Sequence, residues 1–325
     1  MKSREPRVES REAAPAEGGP GISQSLSSVA QAGAIRNPQS RGSGASPWHD
    51  ALRRLCKNRL AMVSLTVLTV FVMAALLAPW IAPLPFDKTN LRYGAKQPTR
   101  THVLGTDELG RDLFTRILYG ARISFAVGIL ATLVSLTIGV TYGSIAGLVG
   151  GRVDHLMMRV VDILYGLPFM FFVIILMVIF GRNILNLFIA LGAVQWLTMA
   201  RIVRGQVLSL KTREFVLSAQ AIGASPRRLL TRHVLPNALG PIVVYATLTV
   251  PAVMLEEAFL SFLGLGVQPP MASWGSLASE GAAAMEAYPW LILFPGMTMT
   301  VTLLSLNFLG DGLRDALDPQ ISSYR

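Results

Sequence analysis

The sequence predicts an all-α integral membrane protein with six transmembrane helices, and three observations carry that prediction. Of its 325 residues, 52% are hydrophobic and only 15% charged, with a mean hydropathy of +0.48; a soluble domain has about 25% charged residues. Six apolar stretches approach the length needed to cross hydrocarbon, about 20 residues for a helix. Basic residues gather on alternate connections, which gives the stretches an orientation.

Residues 1–47 are rich in Gly, Ser, Pro, Ala and charge and have little to bury, so a disordered cytoplasmic extension is expected. No apolar run follows the first charges, which argues against a cleaved signal peptide. Residues 48–83 join a basic amphipathic lead-in (48–59) to a first span (60–81) closed by Pro79 and Pro83. Arg53, Arg54, Lys57 and Arg59 assign its N-terminal side to the cytoplasm. An outside loop of mixed charge, 84–122, leads to a core (123–312) with five further spans. These are expected at 123–149, 157–180, 184–199, 239–262 and 290–309, followed by a cytoplasmic tail, 313–325. No Lys or Arg occurs between Arg232 and Arg314, so the 263–289 loop with Glu280 and Glu286 belongs outside and both termini inside.

The longest polar interruption in the C-terminal half runs from 201 to 237. It carries Arg201, Arg204, Lys211, Arg213, Arg227, Arg228 and Arg232 against Glu214, or 7 − 1 = +6. The punctuation predicts two short helices and a tight corner. Glu214 suits the positive end of the first helix, and Gly223 closes it where left-handed dihedrals are tolerated. Ser225 is the N-cap of the second helix, Pro226 its first residue, and Pro236 stops or kinks it. Both ends of the corner run into membrane, which excludes a freely projecting DNA-binding helix pair. The caps and length favour a docking surface for a cytoplasmic protein over a solvated loop.

Other residues are candidates for movement rather than catalysis. Gly139, Gly143, Gly147 and Gly151 recur every four residues and predict a smooth face for close helix packing, one that also lets spans slide. Pro168, Pro251 and Pro295 interrupt apolar spans, as ordinary kinks or as marks of a translocation pathway. Glu256 and Glu257 lie in an apolar run. They are read as a pathway or gating pair, or as interfacial carboxylates or members of an internal ion pair. The lone Cys56 excludes an intramolecular disulfide, and four scattered histidines offer no metal site. No phosphate loop and no nucleophile motif occurs, so no enzymatic activity is expected, and any uphill movement must be powered by a partner or an ion gradient.

At the corner the residues resemble the signature of ABC importer permeases, written E-A-A, three residues, G, nine residues, I-x-L-P. Gly223, Leu235 and Pro236 stand at the family spacing, Ala219 fills the last alanine, and Ala221 and Ile222 suit the wider pattern. Leu217, Ser218 and His233 depart from it at the glutamate, first alanine and isoleucine. The segments 102–124, 261–275 and 307–319 resemble the C-type subunit of dipeptide and oligopeptide permeases, and 199–215 leans toward the oligopeptide branch.

The resemblance implies a type I ABC importer (MetI-like) permease fold in a bacterial inner membrane, importing peptides; related permeases handle nickel and other small solutes. It implies a homologous B-type permease as partner, two cytoplasmic ATPases and an extracytoplasmic peptide-binding protein. ATP and Mg would be held by the ATPases, with no cofactor in this chain and no nucleic-acid partner. The implied docking set is Glu214, Ala219, Ala221, Gly223, Ala224, Ser225, Pro226, Arg227, Arg228, Leu235 and Pro236. A self-sufficient transporter driven by protons through Glu256 or Glu257 is the rival reading.

Overall fold

The computed structural model describes residues 47–317, so the predicted N-terminal extension and the last residues of the tail lie outside the described residues. Among the described residues every regular element is helical, apart from an isolated bridge between Thr106 and Asp112. The amphipathic α1 (Pro47–Lys57) breaks at Asn58, whose side-chain oxygen accepts from the Ala61 amide at 3.2 Å and starts α2 (Arg59–Leu76). Pro79 sits in the first turn of the short α3 (Ala78–Ile81), so the first span ends sooner than expected.

Helix α4 (Leu113–Val149) starts at Leu113, well inside the loop expected over 84–122. Its N-cap Asp112 accepts from the Thr115 amide at 2.8 Å, and Leu113, Ile117, Ala121 and Phe125 then bury one face at helical spacing. The expected third span is broken. Helices α5 (Gly151–Tyr165) and α6 (Phe169–Phe180) meet at 85° across Gly166, Leu167 and Pro168. Pro168 cannot donate to an ongoing ladder and disfavours a helical residue before it.

Helix α7 (Ile184–Leu210) runs through Arg201 and Arg204, which sequence reading assigned to the corner. The short α8 (Glu214–Ala221) and α9 (Pro226–Leu229) follow. A π-helical turn, Leu230–Val234, then joins α9 to α10 (Leu235–Phe262). Pro236 therefore does not stop the second corner helix. The wider turn rearranges the hydrogen-bond ladder just where proline has no N–H to give, and a continuous helix of 37 residues runs from Pro226 to Phe262. Pro251 within α10 and Pro295 within α12 (Trp290–Leu317) likewise leave their helices unbroken. The loop expected over 263–289 contains α11 (Trp274–Ala283), opened by a capping box between Ser273 and Ser276. The predicted tail is helical as far as Leu317.

Among the described residues five helices are long and apolar enough to cross a membrane, or six if the bent α5–α6 pair forms one span. Among the described residues the buried apolar side chains form three clusters. At the end remote from the corner, Trp274 packs with Leu113, Ile117, Phe125 and Met254, and its indole donates to the Ile117 carbonyl at 3.0 Å. Val127, Val173, Leu191 and Leu260 form a second cluster between α4, α6, α7 and the end of α10, and Met199, Val203, Val207, Val216 and Val234 a third at the corner end.

The seam between α4 and α7 uses the predicted glycines. A Cβ on Gly139 would lie 2.6 Å from Met199, one on Gly143 would overlap the Ala200 carbonyl, and one on Gly147 would lie 2.8 Å from Val207. Gly151 does not belong to this face. With φ +57° it begins the turn into α5, and nothing lies within 4 Å of a Cβ there.

At the remote end a buried charge cluster ties the connection before α4 to α11. Arg116, only 2% exposed, donates to Asp107 and to Glu280, each at 2.7 Å, and Arg111 donates to Asp107 at 2.6 Å. Two of the basic residues in the expected outside loop 84–122 are thus neutralised, partly by a carboxylate from the other loop at that end.

Candidate functional site

The corner is a built object rather than a solvated loop. After Leu210 the chain turns through Lys211 and Thr212, with Arg213 as N-cap of α8 and Glu214 in its first turn. The helix ends in a full left-handed cap. Gly223 has φ +90°, its amide donates to the Gln220 carbonyl at 2.9 Å, and the Ala224 amide reaches back to Ala219 at 3.1 Å. Ser225 then accepts from the Arg228 amide, with Pro226 opening α9. Val216, Leu229 and Val234 bury the inner face against Val207 and Ala238, with Ala219, Ala224 and Leu235 packed beside them.

The opposite face is open. Ile222 is 88% exposed, Phe215 and Leu217 are also exposed, and Glu214, Ala221, Pro226, Arg227, Arg228 and Pro236 share that exposure. The residue standing at the family glutamate position, Leu217, therefore places an apolar side chain at the surface.

Three of the seven basic residues are not available for docking. Arg204 grips Asp154 of α5 with two hydrogen bonds, at 2.5 and 2.6 Å. Arg201 pairs with Asp162 at 2.8 Å and lies over the Tyr165 ring, 4.2 Å from its centre. Lys211 donates to the Gly147 carbonyl at 2.9 Å, at the last turn of α4. These contacts lock α5 and α4 to α7 behind the corner. Arg204→Met is expected to destabilise the fold by about 2 kcal/mol, because Asp154 is left buried without its charged donor. Adding Asp154→Asn should recover part of that loss in thermal melts of the purified protein.

A second feature lies deeper in the bundle, where α5 breaks. A cavity of about 470 Å³ opens between Tyr165, Leu167 and Phe172 on one side and Gln195, Thr198 and Glu256 on the other. Glu256 Oε1 accepts from the Gln195 amide at 2.7 Å, and its Oε2 is buried with no partner among the described residues. Glu257, adjacent in sequence, is 1% exposed and does different work. It accepts from Ser261 and Ser273 at 2.8 and 2.7 Å, and Gly275 lets the start of α11 approach it. Neither carboxylate belongs to an ion pair, which corrects that expectation: hydroxyl and amide donors, not cations, face them among the described residues.

The structure therefore separates the two glutamates that sequence reading treated together, one in a cavity wall and one pinning α11. Pro251 is buried in α10, and Pro295 is buried in α12. Sequence reading missed Asp154, Asp162, Tyr165, Gln195 and Thr198. Asp162 lies within the expected span 157–180 and Asp154 just before it, eight residues earlier, and Gln195 is the only glutamine in the apolar stretch 184–199.

Comparison with known proteins agrees with this architecture. The family described as binding-protein-dependent transport system inner membrane component matches residues 139–323, and the N-terminal TM domain of oligopeptide transport permease C matches 46–98. The oligopeptide transport system permease protein OppC of Haemophilus influenzae is 51% identical over 279 residues, covering 85% of this chain and 90% of that protein. The dipeptide transport system permease protein DppC of Bacillus subtilis is 47% identical over 273 residues, covering 84% and 85%. Among solved structures, an inward-facing MetNI methionine ABC transporter superposes with a TM-score of 0.52 at 17% identity, covering 61% of this chain and 94% of that one. At that identity the likeness concerns the fold, which is that of a type I ABC importer permease. With half its residues shared along nearly the whole length of such relatives, the chain belongs to the C-type oligopeptide permease family of binding-protein-dependent membrane transport proteins.

Proposed function

We propose that this chain is the C-type permease subunit of an ATP-driven importer that brings peptides across a bacterial inner membrane, with both its termini in the cytoplasm. A homologous B-type permease completes the pathway as a heterodimer, two ATPases dock from the cytoplasm, and an extracytoplasmic binding protein delivers the peptide. ATP and Mg belong to the ATPases, and this chain supplies no cofactor site. The observation that carries the reading is the corner: a stiffly capped helix whose inner face is packed on two spans and whose outer face presents Ile222, Leu217 and Arg227.

Exposed apolar groups rimmed by arginine make a surface suited to a protein groove. The coupling is between two states. ATP draws the ATPases together, and the docked helix moves as a body with the spans it is packed upon. A loose loop would absorb such a displacement, whereas the cap at Gly223 and the buried Val216 and Leu229 transmit it.

The test is uptake of labelled peptide by the reconstituted complex. Gly223→Val meets no steric obstacle but forces a β-branched residue to φ +90°, at a cost of roughly 1–2 kcal/mol. Membrane insertion should be unchanged, while peptide uptake and its stimulation of ATP hydrolysis fall together by about tenfold, the equivalent of that cost. Uptake that persists without the ATPases, or that favours nickel over peptide, would overturn the proposal.

A further inference from the structure

We propose that the cavity at the break between α5 and α6 is a subsite for the α-ammonium group of the transported peptide, with Glu256 as its counter-charge. The assignment rests on the peptide-import reading and specifies where in this chain the peptide is held. Glu256 lies six residues before Phe262, the last residue of α10, and is turned against Gln195 of α7, on a span that is otherwise apolar. A carboxylate held between two spans needs compensation. Gln195 supplies one neutral hydrogen bond at 2.7 Å, and among the described residues Oε2 has no partner and no Lys, Arg or His pairs with the carboxylate. The contrast with Glu257 is direct. That carboxylate is enclosed by two serine hydroxyls and the start of α11, and it faces no cavity.

The other walls also favour a primary ammonium. The Tyr165 and Thr198 hydroxyls lie 2.7 Å apart on the rim, and each retains lone pairs to accept from a cation. Helix α5 ends here at Gly166, so its C-terminal carbonyls bring partial negative charge to the same place. A metal or alkali ion would leave most of a 470 Å³ space empty, whereas one or two peptide residues fill it. Leu167 and Phe172 supply the apolar wall that a side chain of no fixed identity requires.

Helix α7 adds an independent observation. Gln195, Thr198 and Arg201 recur at i, i+3 and i+6, a polar stripe on the side turned away from the glycine seam. The cavity is thus the upper part of a polar track within a bundle otherwise lined by aliphatic groups. Broken helices with irregular backbone are tolerated at membrane depth where they line such a cavity.

The experiment uses the whole complex in nanodiscs, with its ATPases and without the binding protein, so that the permease's own preference is read. Binding of labelled tri-alanine is compared with that of N-acetyl-tri-alanine, which has lost the ammonium. N-acetyl-Ala-Ala-Lys, whose only ammonium is on a side chain, separates the two sources of that group. The wild type is expected to prefer tri-alanine by about tenfold or more over both acetylated peptides, as befits one charge-assisted contact. Glu256→Gln, which keeps the shape and the contact with Gln195, should bring the three affinities together while the complex co-elutes intact.

If that variant fails to assemble, Tyr165→Phe reads the same preference from the opposite wall, with a smaller loss expected. A wild type that does not discriminate, or a Glu256→Gln complex that discriminates as the wild type does, overturns the subsite. Equal gain from the lysine side chain overturns the α-ammonium assignment. Peptide uptake by the wild type with its binding protein is measured in parallel. If uptake is intact and discrimination absent, only the subsite fails; if uptake is absent too, the import reading fails with it.

Discussion

Gly143→Leu should abolish the folded bundle. At Gly143 the backbones of α4 and α7 are so close that even a methyl group would meet the Ala200 carbonyl, with the Arg204 amide and Val203 3.0 Å away. Two of these neighbours are main chain, which cannot rotate aside as a side chain does. The helices must separate along the seam, and the contacts of Gly139 and Gly147 open with it. Overpacking typically costs 1–3 kcal/mol where side chains yield, so roughly 3 kcal/mol or more is expected here. In lipid this loss is not offset by exposing apolar surface to water, because association of spans depends on packing itself. Size-exclusion profiles of tagged protein should show aggregate in place of the native peak. Gly205→Ala, on the open side of α7 with nothing within 4 Å, should behave as the wild type. A native peak for Gly143→Leu would refute the seam as described.

Arg116→Ala is the second large effect. The guanidinium is buried, and it bridges Asp107 to Glu280 from two different connections. Its loss leaves Asp107, 5% exposed, with Arg111 and two backbone amides but without its second cation, and removes one of the ties between α11 and the start of α4. Removing one partner of a buried charge cluster costs about 3–5 kcal/mol. Glu280→Gln should cost far less, because that carboxylate is 44% exposed and water replaces the lost contact. Thermal melting in detergent, with cysteine accessibility at Ala283→Cys as a local probe, should order the two variants in that way. Equal melting of Arg116→Ala and the wild type would mean the cluster is dispensable.

What the sequence revealed followed from physics that acts over a few residues. The caps at Gly223, Ser225 and Pro226 are readable because a left-handed residue, a side-chain oxygen and a missing N–H each act within one turn. The spacing of Gly139, Gly143 and Gly147 is readable for the same reason. The errors came where a distant partner changed the meaning of a charge. Arg116 lowers the hydropathy of the segment that begins α4, and its burial is made tolerable by Asp107 together with Glu280, 164 residues on. Arg201 and Arg204 looked like surface charge because Asp162 and Asp154 are 39 and 50 residues away. Helix α11 was legible in principle, since Ser273 and Ser276 stand at capping-box spacing before an apolar run. Glu256 and Glu257 were indistinguishable in sequence, because their difference lies in what faces them across the bundle.

The π-turn at Leu230–Val234 has a mechanical consequence. Because it fuses the corner to a span instead of hinging the two apart, α9 and α10 form a single beam of 37 residues, about 55 Å long. A tilt of about 10° near its middle carries each tip about 5 Å, in opposite directions. A sideways push on Arg227 therefore carries Glu257 the opposite way at the far tip, and with it Ser273 at the start of α11, which Glu257 holds by a hydrogen bond.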